Sequence, residues 1–134
     1  MPLYLDTSAL LKRYIAEPDS AACEERLLAD PVWITARHTL VEARRNLARL
    51  LAGDELAAAR RQLADDWRRI NVVELDAVTC DAAAAIAEAT GARTLDALHL
   101  AAASRLGVGA IVLMTFDAQQ ARAARALGLT LWEA

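Results

Sequence analysis

Two aspartates in this sequence stand where carboxylates do chemistry in many α/β proteins. Asp6 directly follows a short apolar segment at residues 2–5, and Asp117 lies three residues beyond the apolar run AIVLM at residues 110–114. If both segments are strands of a parallel sheet, both carboxylates stand at its carboxyl edge, where such sheets bind ligands. Carboxylate oxygens at such an edge suit hard divalent cations. Each aspartate taken alone is equally well explained as the N-cap of the helix predicted after it.

Asp96 is more informative, because its predicted helix carries apolar residues on nearly every side. The helix spans TLDALHLAAASRLG at residues 94–107, and Leu100 and Ala103 share the face of Asp96. An unpaired buried charge costs several kcal/mol, and the nearby helix N-terminus offsets about 0.3–1 kcal/mol of that. We therefore expect either a metal ion or an arginine such as Arg93 to neutralise Asp96.

Periodicity alone does not place Glu42 in a site. In a predicted long helix at residues 36–51, the leucines and alanines form one apolar stripe, and Glu42 falls on the opposite side beside Arg45 and Arg49. That arrangement is typical of an exposed Glu–Arg pair three residues apart. From periodicity, Glu42 is a surface residue.

The elements that must position these residues alternate between strands and helices. Short apolar segments predict five strands, at residues 2–5, 32–34, 71–75, 110–114 and 129–132. Amphipathic or Ala-rich segments predict helices at residues 9–15, 21–28, 36–51, 55–69, 77–90, 94–106 and 117–127. This alternation predicts an α/β fold with a mainly parallel sheet. A length of 134 residues suits a single domain spanning residues 1–134.

Composition limits which side chains can build the core and which class of partner the protein can bind. Hydrophobic residues make up 56% of the chain and aromatic residues only 4%, so aliphatic side chains must build the core. The net charge of -3 argues against nucleic-acid binding when it is averaged over the surface. However, Lys12 is the only lysine, so the basic side chains are almost all guanidinium groups, which pair well with phosphate. The acidic balance is therefore weak evidence against an RNA substrate.

Cysteine use and hydropathy predict a cytoplasmic protein. Cys23 and Cys80 fall in predicted helices without a ligand cluster around them, and we predict that both are buried thiols. The N-terminus lacks a basic region before an apolar stretch, and no uncharged apolar run reaches the ~18 residues of a membrane span. We expect a soluble, cytoplasmic protein with no membrane partner.

Taken together, these residues resemble the PIN domain, and within it the VapC type of toxin from bacterial toxin–antitoxin pairs. The resemblance covers the whole chain in family order. It rests on LDTSALLKRY at residues 5–14, TLVEARRNL at 39–47, TLDALHLAAA at 94–103 and MTFDAQQARAARALGL at 114–129. It implies a three-layer α/β/α fold with a mainly parallel central sheet.

The resemblance also implies an activity, a metal and partners. The activity is a Mg²⁺- or Mn²⁺-dependent endoribonuclease that cleaves RNA phosphodiesters with metal-activated water. The partners are a small VapB-type antitoxin and a second copy of the chain in a homodimer. The implied catalytic and metal-binding residues are four acids, and Glu42 joins them on this ground alone: Asp6, Glu42, Asp96 and Asp117.

Further polar residues are predicted to support these acids or to bind the substrate. Thr7 and Ser8 suit hydrogen bonding around the metal site, and the resemblance implies the same for Thr115, two places before the last aspartate. For His99 we favour packing or hydrogen bonding to a metal ligand over a general-base role, because metal-activated water makes a histidine base unnecessary. Two arginines on the Glu42 side, Arg45 and Arg49, are candidates for RNA phosphate contacts, and the alternative is a solvated face with acidic partners.

Two rival interpretations remain at this point. A phospho-acceptor receiver domain is also a small α/β unit, but it needs adjacent acids at its first site and a lysine after a late strand, whereas the single lysine here is Lys12. A non-toxin or catalytically silent PIN-like module that binds RNA or protein is the second rival. The intact set of four acids argues against it.

Overall fold

Five short strands form one parallel sheet in the computed structural model, which describes residues 1–133. Neighbouring strands lie in the order β3-β2-β1-β4-β5, and each of the four pairs is parallel. The predicted α/β class is therefore confirmed. The strands are β1 (Leu3–Leu5), β2 (Trp33–Ala36), β3 (Asn71–Val73), β4 (Val112–Met114) and β5 (Thr130–Leu131).

Each predicted helix occurs, and all but one have shifted ends. The first is shorter than predicted, because after Leu11 the backbone continues in tight turns, with Arg13 N donating to Leu10 O and Tyr14 N to Leu11 O. The Ala-rich helix predicted at 77–90 has the predicted bounds. The helices are α1 (Thr7–Leu11), α2 (Ser20–Leu28), α3 (Thr39–Leu50), α4 (Gly53–Arg69), α5 (Ala77–Thr90), α6 (Thr94–Arg105) and α7 (Ala118–Ala126).

The helices cover both faces of the sheet, in agreement with a three-layer α/β/α fold. Side chains of a strand alternate between faces, so Leu3 and Leu5 pack with α1 to α4, whereas Tyr4 packs with α6 and α7. A smaller cluster joins α5 to α6. Because α6 lies between α5 and the sheet, it is apolar on most of its circumference.

The centre of the sheet is the natural place for a site. Strand β1 pairs with β2 on one side and with β4 on the other. The chain leaves β1 and β2 toward the face covered by α1 to α4, whereas it leaves β4 toward the face covered by α6 and α7. The carboxyl end of β1 is therefore a topological switch point, where open parallel sheets form a crevice. Asp6 is the residue that follows β1.

One of the two cysteine predictions is wrong. Cys23 is buried, with its thiol 3.8 Å from Ala9 O, but Cys80 is exposed on α5. Alanines occupy several faces of α5, so apolar periodicity does not show which face points inward, and Thr79 and Ala83 are buried instead.

Among the helices of residues 1–133, none combines the length and the apolar composition needed to cross a bilayer.

Candidate active site

A cavity of about 200 Å³ lies at the carboxyl edge of β1, between α1, α3 and α6. Thr7, Ser8, Asn46 and His99 contribute to its lining. The four acids singled out from the sequence all line this cavity: Asp6, Glu42, Asp96 and Asp117. The tertiary structure thus brings together residues that are up to 111 positions apart in the chain.

Asp6 is held by hydrogen bonds from both sides of the switch point. Its Oδ1 accepts from Ser8 Oγ at 2.6 Å and from the backbone N of Ala9 at 3.0 Å, and its Oδ2 accepts from Thr115 Oγ1. The side chain is therefore both the N-cap of α1 and a wall of the cavity. Asp6 is only 4% exposed, and burial raises its pKa although the hydroxyl donors and the nearby His99 oppose that rise.

Asp117 combines the same two roles at the next strand. Its Oδ1 caps α7 by accepting from the backbone N of Gln119 at 2.8 Å and of Gln120 at 3.2 Å. Its own backbone N donates to Thr115 Oγ1 at 3.1 Å, so the Thr115 hydroxyl joins the two aspartates. Capping and site formation, which the sequence presents as alternatives, occur together.

Asp96 projects from the first turn of α6 and is half-buried. Burial raises its pKa, the negative charge of Asp117 adds to the rise, and the charges of Asp6 and Glu42 contribute further. Within residues 1–133 no arginine pairs with it, because Arg93 donates to Gln119 Oε1 at 3.3 Å instead. The expected neutralisation by an arginine is therefore not observed.

Glu42 faces the cavity rather than solvent, so its interpretation as an exposed partner of Arg45 is wrong. Helix α1 packs against α3 and covers this side of the helix, which periodicity along α3 alone does not reveal. Its Oε1 accepts from Thr7 Oγ1 at 2.7 Å and lies 3.0 Å from His99 Nε2. Burial raises the pKa of Glu42, but the hydrogen bonds from His99 and Thr7 outweigh it and hold the pKa below its usual value.

A buried hydrogen-bond chain stands behind Glu42. Tyr4 OH lies 2.9 Å from His99 Nδ1, and His99 Nε2 lies 3.0 Å from Glu42 Oε1. Burial raises the pKa of Tyr4 well above its usual value, so its hydroxyl stays neutral. Because the carboxylate Oε1 of Glu42 can only accept, His99 Nε2 donates to it. The strand residue Tyr4 carries no signal of this role in the sequence.

His38 is a neighbour of the site that sequence reasoning missed. It is 9% exposed, its Nε2 lies 3.1 Å from Leu95 O and 3.5 Å from Glu42 Oε1, and burial followed by the charge of His99 lowers its pKa to about 4. Ligand atoms of His38, Glu42 and His99 lie within 4.8 Å of one another, a set that suits a metal ion. Because His99 Nε2 donates to Oε1 whereas His38 Nε2 donates to Leu95 O, we interpret His99 as the donor that orients the carboxylate and His38 as a neighbour that packs beside it. The spacing of four residues between His38 and Glu42 is the one signal that was available.

The predicted RNA-binding arginines lie beside the cavity. Arg45 and Arg49 are exposed on α3, and Arg49 donates to Oδ1 of Asn46 at 3.1 Å. Asn46 itself lines the cavity and donates to Glu42 O at 2.9 Å. Within residues 1–133 neither arginine forms a salt bridge with an acid. The alternative of a face neutralised by Glu and Asp partners is therefore not observed.

Comparison with known proteins agrees with this fold. The PIN domain family model matches residues 3–126. Ribonuclease VapC46 of Mycobacterium tuberculosis is 36% identical over 132 residues, which cover 96% of this chain and 95% of that protein. Among solved structures, PAE2754 from Pyrobaculum aerophilum has a TM-score of 0.73 at 24% identity and covers 98% of this chain and 89% of that one. The DNA-bound VapBC from Salmonella typhimurium has a TM-score of 0.71 at 14% identity, covering 98% and 97%.

The fold and the cavity define an α/β protein with an acidic crevice at the switch point of a parallel sheet. The chain belongs to the PIN domain family, and the resemblance to its VapC-type members that the sequence predicts is confirmed.

Proposed function

We propose that this protein is a metal-dependent endoribonuclease and the toxin component of a VapBC-type toxin–antitoxin pair. The observation that carries the proposal is the convergence of four carboxylates on one cavity, with no arginine or lysine of residues 1–133 lining it. The negative charge of such a cavity needs a bound cation to neutralise it. The relative named Ribonuclease VapC46 supports RNA as the substrate.

The donor set fits Mg²⁺ or Mn²⁺. Both ions prefer oxygen ligands, and the cavity offers carboxylate oxygens from Asp6, Glu42, Asp96 and Asp117. The pKa of Asp96 is raised by burial and then by the charge of Asp117. Such a rise is expected in a group of carboxylates that has no cation bound to it. When bound, a divalent cation there neutralises charge on the phosphate and lowers the pKa of a water molecule.

The surrounding side chains fix the carboxylates before a ligand arrives. Ser8 and Thr115 orient Asp6, while Thr7 and His99 occupy Oε1 of Glu42. No hydrogen bond from the described residues reaches Oε2 of Glu42, so this oxygen remains available to the cavity. Groups that orient metal ligands in this way preserve affinity and geometry. His99 acts here as a positioning residue and not as the base.

RNA binding is assigned to the arginines beside the cavity. Arg45 and Arg49 present guanidinium groups without acidic partners, which suits phosphate contacts. Binding of an uncleavable RNA should fall with salt, and loss of both arginines should reduce the slope by about two, that is, about one for each phosphate contact. An unchanged slope would reject this assignment.

Partners are proposed from the relatives. The VapBC complex from Salmonella typhimurium shares this fold, which supports a VapB-type antitoxin as the partner. From the family resemblance we propose further that the antitoxin covers the acidic cavity and that the nuclease forms a homodimer. The rival of a catalytically silent PIN-like module has no observation in its favour, because the four acids are present and converge.

Cleavage of RNA with defined metals tests the proposal. The wild-type protein should cleave total cellular RNA with Mg²⁺ or Mn²⁺ and not with EDTA. Asp6→Asn and Asp96→Asn should each lose activity by more than about 100-fold, because each removes a negative ligand from the cavity. Asp81→Asn, at an exposed acid of α5, is the matched control and should cleave normally.

The outcome against the proposal is specific. Cleavage that persists in EDTA, or in both site variants after repurification, would assign the activity to a contaminant or to other residues. Mapping the cleaved ends after a short induction in cells would identify the RNA.

A further inference from the structure

A second cavity, of about 360 Å³, adjoins the carboxylate cavity and shares Asp96 with it. It lies between the C-terminal end of α5, the turn at Gly91, and the helices α6 and α7. Its volume falls in the range of sites for small ligands. Because Asp96 belongs to the walls of both cavities, a molecule bound at the acids extends naturally into this space.

Two arginines line this cavity without acidic partners. Arg93 stands at the start of α6 and Arg122 in α7, and both are exposed. Within the described residues Arg93 donates to Gln119 Oε1 at 3.3 Å, and no salt bridge involves either arginine. By contrast Arg125, three residues further along α7, pairs with Glu133 Oε1 at 2.5 Å. Free guanidinium groups beside a cavity suit phosphate binding and stacking on a base.

Gln120 provides an independent sign of a ligand. Its side chain is 1% exposed and contributes to the cavity wall, with Nε2 donating to Asp96 O at 3.2 Å. Its Oε1 has no hydrogen-bond partner among residues 1–133. Buried side-chain oxygens without a partner are uncommon and require an explanation. A ligand with an N–H donor, brought to this wall by a small side-chain movement, would satisfy Oε1.

The lining favours a nucleotide over a peptide. Asp96 is the single acid of the lining, and it lies where the two cavities meet. A phosphodiester held at the acids carries its neighbouring nucleotide into the adjoining space, because the two are covalently linked. That nucleotide supplies a phosphate for the arginines and a base edge for Gln120. A peptide side chain supplies one of these groups but has no such link to the acids.

We propose that this cavity binds the RNA nucleotide next to the cleaved bond, and that Gln120 selects its base by accepting from an amino or ring N–H group. The proposal rests on the nuclease function proposed above. Arg93 and Arg122 bind the phosphate of this nucleotide or stack on its base. The cavity thereby determines part of the sequence preference of cleavage.

Direct binding tests the cavity without any need for cleavage. The ¹⁵N-labelled full-length protein is titrated with AMP, GMP, CMP and UMP, and the side-chain amide resonance of Gln120 is followed. We expect at least one nucleotide to shift this resonance and Arg122→Gln to weaken its binding about tenfold, a typical cost for one lost contact of this kind. Arg125→Gln is the matched control on the same helix and should bind normally, since Arg125 already pairs with Glu133.

Cleavage of an RNA pool with randomised sequence tests selection. Gln120→Leu should flatten the base preference at a single position beside the cut and leave the other positions unchanged. Should Gln120→Leu fail to fold, Arg122→Gln, at an exposed position, should raise KM several-fold with little change in kcat.

The two proposals fail in different ways. If the wild-type protein cleaves, while Gln120→Leu keeps the base preference and Arg122→Gln keeps the KM, the nucleotide site is wrong and the nuclease function stands. If the wild-type protein does not cleave, the nuclease proposal fails, and the titration alone decides the cavity. A Gln120 resonance that no nucleotide shifts, or that moves only with an acidic peptide, would overturn the nucleotide site.

Discussion

Two buried aspartates in this protein have opposite surroundings. Asp66 in α4 is 3% exposed and accepts from Arg13 Nε at 2.8 Å and from Tyr14 OH at 2.7 Å, with Arg69 3.2 Å away. Burial raises the pKa of Asp66, but these hydrogen bonds, led by Arg13, hold it below its usual value. Asp6 is equally buried, yet its partners are hydroxyl and backbone donors, and its pKa is raised.

The difference separates an acid that stabilises the fold from the acids that we propose bind a cation. Arginine side chains of the same chain neutralise Asp66. The guanidinium of one of them, Arg13, also lies 4.8 Å from the ring centre of Trp33. Within residues 1–133, no arginine or lysine pairs with Asp6 or Asp96, although the chain contains 15 such side chains. Uncompensated burial of this kind costs stability, which supports the proposal that a bound cation provides the missing charge.

Removal of Asp66 should have the largest effect on stability. Asp66→Ala removes the buried partner of Arg13 and Tyr14, while Glu24 still pairs with Arg13. We therefore expect the free energy of unfolding to fall by about 3 kcal/mol, the lower end for a broken buried pair, measured by chemical denaturation. Asp65→Ala, at the exposed neighbour, should change it little. Folded Asp66→Ala should retain nuclease activity. Equal losses of stability in the two variants would remove the distinction between these acids.

Loss of the His99 imidazole should affect the site and leave the fold intact. His99→Gln removes the donor that orients Glu42, so we expect Mg²⁺ affinity to fall about 10–100-fold, measured by calorimetry. Tyr4→Phe removes only the hydroxyl behind His99 and should have a smaller effect in the same direction. Normal Mg²⁺ affinity in His99→Gln would show that the imidazole serves packing alone.

Chelation should separate the two kinds of acid in a thermal melt. Saturating Mg²⁺ should raise the Tm of the wild-type protein by several degrees over EDTA, because the ion binds the native state only. Asp96→Asn should melt slightly higher than wild type in EDTA, since a neutral amide relieves the repulsion from Asp117, and should gain little from Mg²⁺. The Asp81→Asn control should behave as wild type. Identical wild-type curves in EDTA and Mg²⁺ would argue against the site.

Acid should disrupt the site before it disrupts the Asp66 cluster. The raised pKa values of Asp6 and Asp96 mean that protons compete with Mg²⁺ at a pH above the usual aspartate range, so affinity should fall there. In the metal-free protein these two groups contribute stability at low pH that is lost as the pH rises through their raised pKa values. Asp66 has a lowered pKa, so its contribution is present above the usual value and is lost only as the pH falls further. Calorimetry at several pH values measures the loss of Mg²⁺ affinity at the site. Chemical denaturation at several pH values measures the loss of the stability that Asp66 contributes.

Most of the fold could be predicted from local patterns. The strand before Asp6, the AIVLM segment and the Ala-rich helix α5 all lie where the apolar runs and their Gly or Asp boundaries place them. Gly91, with φ of 74°, ends α5 in the left-handed conformation that glycine adopts readily. Local patterns were insufficient for Cys80, because an alanine-rich helix has no clear apolar face.

The site could be predicted in part. Asp6 and Asp117 follow from strand ends, and Asp96 follows from a carboxylate in a buried helix. Glu42 came only from family resemblance, because its burial depends on the packing of α1 across α3. Tyr4 and Gln120 had no signal that separates them from ordinary core or surface residues, and His38 had only its spacing of four residues from Glu42.

The sequence by itself determined the alternation of strands and helices, the parallel sheet and the acids at its carboxyl edge, because these depend on residues close together in the chain. Only the tertiary structure decided which buried acid receives an arginine and which does not. Asp66 and Arg13 are 53 positions apart, and Glu42 and His99 are 57 apart. Pairings over such distances depend on how helices pack across the sheet, and no periodicity within one element encodes them.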